Sequence, residues 1–319
     1  MTNVDVAVLG ANKGFVGGAT AEILGNHPNV ASVQTPPSEN LAEFEGSDVV
    51  FSALPHGISG QQTERFLSLG STVVDFSGDF RFQTAAEYER WYDRPHPAPK
   101  ILPAVYGLPE YSRGQLAGQS LAAVPGCYPT GSLLSLIPLV EGGLIRTDSM
   151  VVINADSAVS GAGHEPSELT HFMNISGNVI PYKTGDVHRH VGEIEQFLNG
   201  RSVFFSPVIL PLERGMLVRI NAVLKDGATA DDAREALKTA YENEPFVHVL
   251  EEEKLPEVKD TAGTDECHIG VVGVGQMIQL GSSLDNLRKG GSSEGVHVFN
   301  IMMGYPETAG LTPKASMRP

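Results

Sequence analysis

The sequence predicts an α/β protein with two parts, a parallel, doubly wound sheet followed by a domain with an antiparallel or mixed sheet. Three observations lead to this prediction. An apolar run at residues 4–9 ends in a glycine loop and continues into a helix. Apolar strands and helices then alternate as far as residue 76, as they do in parallel sheets. Farther along, residues 271–280 alternate in the way that is typical of antiparallel or mixed sheets.

The strands of the N-terminal part are short apolar runs that end at turn residues. Strands are predicted at residues 4–9, 30–33, 48–54 and 71–76, and helices at residues 19–24 and 61–69. Gly10, Pro55 and Gly78 follow three of these strands. Because parallel strands end at one edge of the sheet and ligands bind there, we expect these turns to form one rim.

The C-terminal part begins near Cys127, where the pattern changes. Strands are predicted at residues 150–155 and within residues 203–224, and a helix at residues 230–241. Pro207 and Pro211 are expected to interrupt the strand-like runs, since proline cannot donate to a sheet ladder. We therefore place the domain boundary at Cys127.

The glycine loop after the first strand has the spacing Gly10, Gly14, Gly17, with one more residue than the usual dinucleotide-binding pattern. Its place between a strand and a helix favours a Rossmann-type nucleotide site over a tight turn without a ligand. Lys13 either reaches a phosphate or points into solvent. Residues 34–36 supply neither an acid for a ribose hydroxyl nor a base for a 2′-phosphate. The missing acid and Lys13 favour NADP, with NAD as the alternative.

Cys127 lies in the segment VPGCYPT, directly before an apolar helical stretch. Pro129 suits a first helical turn, because its missing N–H would have no partner there. A thiol at a helix N-terminus meets unpaired N–H groups and the positive end of the helix dipole, which favour the thiolate. We interpret Cys127 as a nucleophile, and the alternative is a small buried apolar side chain.

Two histidines flank an arginine in the segment VHRHVGEIEQ, at His188, Arg189 and His190. A histidine can transfer protons near neutral pH, and an arginine can hold a carboxylate or a phosphate. A solvated loop is the alternative. Glu193 is expected on the helix surface, although it could orient a histidine. No metal site is expected, because the cysteine spacing matches no zinc site.

Two further segments could bind an anion. Successive N–H groups in the turn that contains Ser160, Gly161 and Gly163 can form an anion-binding concavity. Arg81 adds a fixed positive charge, unless it forms a structural ion pair with Asp79.

Composition limits the classes of partner. The 22 Lys and Arg residues against 38 Asp and Glu residues give a net charge of −16, which disfavours nucleic acid and anionic membranes. Two cysteines form no disulfide framework, and neither a signal peptide nor a membrane span is expected. We therefore expect a soluble, cytoplasmic protein.

Several segments, in this order, strongly resemble the N-acetyl-γ-glutamyl-phosphate reductase family of arginine biosynthesis, which is related to aspartate-semialdehyde dehydrogenase. They are LPHG at 54–57, VDFSGDFR at 74–81, YGLPE at 106–110, PGCYPT at 125–130, SGAG at 160–163, HRH at 188–190, DNLRKG at 285–290 and NIMMG at 300–304. The resemblance covers nearly the whole chain.

The resemblance implies NADPH-dependent reduction of an acyl phosphate, through a thioester on Cys127, to a semialdehyde. It implies that His188 and His190 serve as acid/base and substrate ligand, without saying which has which role. The domains implied are a dinucleotide-binding domain, 1–126, rejoined by a C-terminal helix at about 290–319, and an α+β catalytic and oligomerisation domain, 127–289. A homodimer or homotetramer is expected.

The expected site residues follow from the motifs and the resemblance together. Substrate and phosphate are expected at Arg81, Ser160, Gly161, Gly163, Arg189 and Glu193. The cofactor is expected at Gly10, Lys13, Gly14, Phe15, Val16, Gly17, Pro55, Ser77, Gly290 and Asn300. The alternatives are an aminoadipyl-phosphate reductase, a related semialdehyde dehydrogenase, a dinucleotide sensor without catalysis, and a thiol hydrolase.

Overall fold

The computed structural model describes residues 3–37, 41, 44, 47–251 and 253–312. These residues divide into two compact units. One unit comprises the chain up to residue 126 together with residues 291–312, and the other comprises residues 127–290.

The first unit is built on a six-stranded parallel sheet. Its elements up to residue 126 are β1 (Val4–Leu9), α1 (Phe15–Gly25), β2 (Val30–Gln34), β3 (Val49–Ser52), α2 (Ile58–Ser68), β4 (Thr72–Asp75), α3 (Ala85–Tyr92), β5 (Val105–Tyr106), α4 (Pro109–Leu116) and β6 (Leu121–Ala123). The strand order is β2-β1-β3-β4-β6-β5, and all the pairs are parallel. The predicted parallel sheet is therefore confirmed.

Helix α1 begins at Phe15, four residues before the predicted start. It includes Gly17, although glycine has a low helix propensity. A Cβ on Gly17 would lie 3.0 Å from Ala11, so this glycine lets the helix pack closely on the loop before it. Packing overrides propensity at this position.

The second unit contains a seven-stranded mixed sheet. Its elements are α5 (Cys127–Glu141), β7 (Val151–Ala158), α6 (Phe172–Ile175), β8 (Ile180–Pro181), α7 (Arg189–Glu195), β9 (Val203–Leu210), β10 (Met216–Val223), α8 (Ala230–Tyr241), β11 (Val247–Val249), α9 (Val258–Thr261), β12 (Cys267–Val274) and β13 (Met277–Leu284). The strand order is β11-β12-β13-β10-β7-β9-β8, with β7–β9 and β11–β12 parallel and the other pairs antiparallel. This confirms the predicted mixed sheet.

Pro207 does not interrupt its strand, contrary to the expectation from sequence. It lies within β9, opposite Ala155 of β7. Its carbonyl oxygen accepts a hydrogen bond from the N–H of Tyr182, on the side of β8. The nitrogen of a strand residue points to the same side as its oxygen, so the missing N–H removes no bond to β7.

Helix α5 lies against the sheet of the second unit, where it contacts α8, β10 and β13. Gly131 makes the approach close, because a Cβ there would lie 2.8 Å from the Ser282 hydroxyl. That hydroxyl donates a hydrogen bond to the Gly131 carbonyl. The first turn of α5 is thereby held in a fixed place on the sheet.

The last helix, α10 (Ser292–Met303), returns the chain to the first unit, where it contacts α1 and α4. It ends at Gly304, whose φ of 69° is left-handed, as is common after a helix. The expectation of a helix as far as residue 319 is wrong for residues 304–312, and residues 313–319 lie outside the described part. Among the described residues, no helix has the length and apolar character to cross a membrane.

Candidate active site

Cys127 is the first residue of α5, so its thiol lies at the positive end of the helix. It is half-buried, and neither it nor Cys267, both described, is in a disulfide. A Cβ on Gly290 would lie 2.8 Å from the Cys127 Cβ. The loop that carries Gly290 therefore lies directly against the cysteine, and the helix N-terminus favours the thiolate.

Two tyrosines lie beside the cysteine. The Tyr182 hydroxyl donates a hydrogen bond to the Tyr128 hydroxyl at 3.1 Å. Burial raises the pKa of both phenols, that of Tyr182 to about 12, and the nearby charge of Cys127 adds to each shift. Both phenols are therefore neutral hydrogen-bonding groups close to the thiol.

The predicted histidine pair is held at the start of α7. His188 caps this helix, and its Nδ1 accepts a hydrogen bond from the backbone N–H of His190 at 3.1 Å. The two ring centroids are 4.6 Å apart. His188 is 8% exposed, and its ring packs against Phe205, Tyr182 and Tyr128.

The surroundings of His188 keep it neutral. Burial lowers its pKa to about 3, and the positive charges of Lys183 and Arg189 add to the effect. With Nδ1 accepting a hydrogen bond, the single proton of the neutral ring lies on Nε2. His188 is therefore a neutral donor at physiological pH.

The other histidine of the pair lies beside the same tyrosine. His190 is half-buried, and its ring lies 5.7 Å from that of Tyr128. Because Tyr128 follows Cys127 directly, the structure brings both predicted histidines to the side chain next to the nucleophile. Arg189, between them, is half-buried.

Glu193 is not a surface residue, which corrects the expectation from sequence. It is 1% exposed. The helix α7 packs against α5 and β9, and the face that carries Val191 and Ile194 is buried as well. A buried carboxyl group on the short histidine helix is compatible with the other interpretation, that Glu193 orients a histidine.

The predicted anion-binding turn follows β7 and is tied to the loop that ends at Gly290. The Asn286 side chain donates a hydrogen bond to the Ser160 hydroxyl at 3.0 Å and accepts one from the N–H of Gly215. A Cβ on Gly161 would lie 2.9 Å from the Ser157 hydroxyl. Gly163 is exposed, with a φ of 99°. The motif that contains Asn286 was recognised in the sequence, but this contact was not predicted from it. The places of Tyr128 and Tyr182 beside the thiol were not predicted either.

In the first unit, the glycine loop forms a close turn at the end of β1. Gly10 has a φ of 78°, and a Cβ there would lie 2.5 Å from the Ala53 carbonyl oxygen, beyond β3. The strand order reverses between β1 and β3, which is where open α/β sheets bind ligands. Lys13 and Phe15 are exposed, and Gly14 and Val16 are partly exposed. The loop and the N-terminus of α1 thus fit the phosphates of a dinucleotide.

Of four other predicted residues, one lies at the rim as expected and three are engaged in the fold. Pro55 is exposed at the rim after β3. Ser77 is buried and donates a hydrogen bond to Asp75. The Arg81 guanidinium donates hydrogen bonds to the carbonyl oxygens of residues 76 and 124. The Asn300 side chain is hydrogen-bonded to the His27 ring and donates to the carbonyl oxygens of residues 307 and 309. These bonds favour structural roles for Ser77, Arg81 and Asn300.

Comparisons with known proteins agree with this arrangement. The family described as "Semialdehyde dehydrogenase, NAD binding domain" matches residues 33–119, and "Semialdehyde dehydrogenase, dimerisation domain" matches residues 127–286. The N-acetyl-gamma-glutamyl-phosphate reductase of Methanosphaera stadtmanae is 36% identical, with 98% of each chain covered. That of Desulforudis audaxviator is 40% identical, with 97% of this chain and 98% of the relative covered.

Solved structures show the same fold. Aspartate semialdehyde dehydrogenase II from Vibrio cholerae gives a TM-score of 0.74 at 18% identity, with 94% of this chain and 98% of that chain covered. A probable aspartate-semialdehyde dehydrogenase from Pseudomonas aeruginosa gives 0.70 with the same identity and coverage. The chain therefore belongs to the N-acetyl-gamma-glutamyl-phosphate reductase family of semialdehyde dehydrogenases, oxidoreductases that use a nicotinamide dinucleotide.

Proposed function

We propose that this protein reduces N-acetyl-L-glutamyl 5-phosphate to N-acetyl-L-glutamate 5-semialdehyde and phosphate with NADPH, as a step of arginine biosynthesis. The observation that carries the proposal is a thiol at a helix N-terminus beside a histidine pair. It occurs in a chain that matches reductases of this name over nearly its whole length. Those names also favour the glutamyl over the aminoadipyl substrate.

Cys127 begins the reaction as the thiolate. Its sulfur attacks the carbonyl carbon of the acyl phosphate, the carbon–oxygen bond to phosphate breaks, and phosphate leaves with that electron pair. The N-terminus of α5 stabilises the attacking anion, and the thioester stores the acyl group. Ser160, Gly161, Gly163 and Arg189 are proposed to hold the phosphate or the substrate carboxylate.

A bound reduced nicotinamide would supply the hydride that turns the thioester on Cys127 into a hemithioacetal. His190 gives a proton to the hemithioacetal oxygen. It takes that proton back when the carbon–sulfur bond breaks and the thiolate leaves, which releases the aldehyde. The one proton that the net reaction consumes ends on phosphate.

The different surroundings of the two histidines support this division of work. A ring with a pKa near 3 cannot carry a proton at physiological pH, so His188 serves as a neutral Nε2–H donor to a substrate oxygen. His190 is left as the acid/base. The buried Glu193 is proposed to position the helix that carries both.

The cofactor is proposed to bind the first unit, at Gly10, Lys13, Gly14, Phe15, Val16 and Gly17, with Pro55 at the rim. NADP is the proposed form. Residues 34 and 35 at the end of β2 bring no acid for a ribose hydroxyl, and the exposed Lys13 can attract a 2′-phosphate. Gly290, where a Cβ would lie 2.8 Å from that of Cys127, is proposed to leave room beside the thiol.

A second copy of this chain is proposed to cover the open face of the mixed sheet. Helices α5 and α8 pack on one face, while alternate residues of β7, such as Val152 and Asn154, remain half-exposed on the other. Phe204 of β9 is 42% exposed, and the matching family is described as a dimerisation domain. Because Cys127 must remain a thiol, a reducing compartment such as the cytoplasm is also proposed.

One assay tests the reaction. N-acetylglutamate semialdehyde, phosphate and NADP are mixed with the protein, and NADPH absorbance is followed, with NAD and the aminoadipate semialdehyde analogue as comparisons. We expect the aldehyde to be oxidised and NADP to be reduced to NADPH only when phosphate is present. The rate should be highest with NADP and N-acetylglutamate semialdehyde. Cys267→Ala, a buried thiol on β12, should retain turnover as the control. The absence of any phosphate-dependent signal would refute the proposed function.

A further inference from the structure

Two histidines and a glutamate form a cluster in the second unit that the proposed reaction does not use. The Nε2 atom of His268 lies 2.9 Å from one carboxylate oxygen of Glu266, and that of His248 lies 3.4 Å from the other. Each residue offers one ligand atom, and these three atoms lie within 4.8 Å of one another. The cluster therefore has three metal-binding groups converging on one point.

The strand pairing explains why these residues meet. His248 of β11 is directly opposite His268 of β12 in a parallel pair. Glu266 precedes His268 by two residues, and side chains two apart in an extended segment lie on the same face. No metal site was expected from the sequence, because the cysteine spacing matches no zinc site. His248 lies 18 positions before Glu266, and the sheet register brings them together.

The cluster lies far from Cys127 and its histidines. Strand β11 forms one edge of the seven-stranded sheet, and β9, which carries Phe205 beside His188, lies five strands away. At about 4.8 Å between neighbouring strands, this is roughly 24 Å. Metal binding at the cluster and turnover at the thiol can therefore be tested separately.

The donor set and its spacing suit a transition metal. Two imidazole nitrogens and one carboxylate oxygen are a zinc ligand set that leaves a fourth position for water. Bonds of about 2.0–2.1 Å in a tetrahedron place ligand atoms about 3.3 Å apart. The two distances from the Glu266 carboxylate to the imidazole nitrogens, 2.9 and 3.4 Å, are close to this value. The side chains of Glu266 and His268 are 8% and 20% exposed, and that of His248 is 46% exposed, so the cluster is fixed on one side and open to solvent on the other.

We propose that His248, Glu266 and His268 bind a divalent transition-metal ion of the zinc type, with water in the fourth position. Because His248 lies on the edge strand β11 and the other two ligands belong to the β12 segment, the bound ion ties this edge strand to the sheet. A ligand that binds only the folded state raises its stability, so the ion also raises the unfolding temperature.

The test uses the full-length Cys127→Ser protein, stripped of metal, so that the thiol cannot bind the probe. Zinc binding is measured by calorimetry at about pH 7.5, where imidazole is neutral. The visible absorption of bound Co²⁺ reports the coordination geometry. The same measurements are made on proteins that also carry His248→Ala or Glu266→Gln, and on His164→Ala, an exposed histidine outside the cluster, as the control.

We expect one equivalent of zinc to bind and to raise the unfolding temperature. His248→Ala and Glu266→Gln should each weaken binding at least about tenfold, whereas His164→Ala should leave it unchanged. His248 is exposed on an edge strand, so its replacement leaves the fold intact, and circular dichroism checks this. Absence of binding, or equal binding by the cluster variants and the control, would overturn the proposal.

Discussion

His188 accepts, at its ring Nδ1, a hydrogen bond of 3.1 Å from the backbone N–H of His190. This bond and the surrounding aromatic rings give two histidines of one short motif different chemistry. The pKa of His188 is lowered to about 3, mainly by burial, so its ring stays neutral with the proton on Nε2. The sequence could not separate the two roles, because both histidines lie at the start of the same helix.

The first prediction concerns the division of work between the histidines. His190→Asn should lower kcat by about 10²–10⁴ with little change in KM, since it removes proton transfer and leaves binding. His188→Asn keeps a neutral N–H donor and a good helix cap, so its effect should be smaller and fall mainly on KM. Steady-state kinetics of both variants in the same assay measure the difference. The reverse pattern would contradict the assignment.

The second prediction is that His188 makes the protein less stable in acid. Its pKa is lower in the folded than in the unfolded state, so only the unfolded chain takes up this proton as the pH falls from about 6.5 towards about 3. Through this window His188 should subtract up to about 1.4 kcal/mol per pH unit from the free energy of unfolding. Urea unfolding of wild type and His188→Asn across the window should show a shallower slope for the variant. Equal slopes would argue against a buried neutral ring.

The third prediction concerns the glycine loop after β1. Gly10→Ala should lower the free energy of unfolding of the first unit by about 1–3 kcal/mol through backbone strain alone, because alanine is strained at a φ of 78°. The steric clash of its Cβ with the Ala53 carbonyl oxygen should add to this loss. NADPH binding should weaken with it. Gly14→Ala is the matched control for the fold. Its backbone is extended, and the nearest atom to a Cβ there is 3.6 Å away.

Thermal unfolding and fluorescence titration with NADPH check this pair of variants. If Gly10→Ala matched Gly14→Ala in unfolding temperature, the close approach of β1 and β3 described above would be wrong.

The fourth prediction concerns Asp75, a fully buried carboxyl group below the rim. Burial raises its pKa from 3.8 to about 6, against the hydrogen bonds from Ser59 and Ser77. The folded state therefore keeps this proton where the unfolded chain has lost it. The contribution of Asp75 to stability is greatest below pH 3.8 and declines as the pH rises to about 6. Asp75→Asn should remove that decline from the unfolding free energies, and a variant that keeps it would place the titration elsewhere.

Most of the fold could be predicted from local patterns. The helix over residues 230–241 matches α8, because its capping residue Thr229 and its apolar spacing agree with the tertiary packing. What local patterns missed depends on neighbours in space. Pro207 stays in β9 because its backbone nitrogen, which carries no hydrogen, faces away from β7. Glu193 is buried because α7 packs on α5 and β9.

The candidate active site shows the same difference between features with a local sequence signal and features that depend on neighbours in space. Cys127 could be predicted because a helix start and a proline are local signals, and the histidine pair because the motif is compact. Tyr182 and Asn286 reach their partners through the pairing of strands and loops that are distant in sequence. A single sequence carries no local signal for such contacts.

The central claim is that Cys127 carries the acyl group, and one measurement tests it most directly. The protein is mixed with N-acetylglutamyl phosphate in the absence of NADPH, quenched in acid, and analysed by intact-mass and peptide mass spectrometry. We expect one N-acetylglutamyl group per chain, on the peptide that contains Cys127, lost in Cys127→Ser and kept in Cys267→Ala. An adduct at another residue, or full turnover by Cys127→Ser, would contradict covalent catalysis through this thiol.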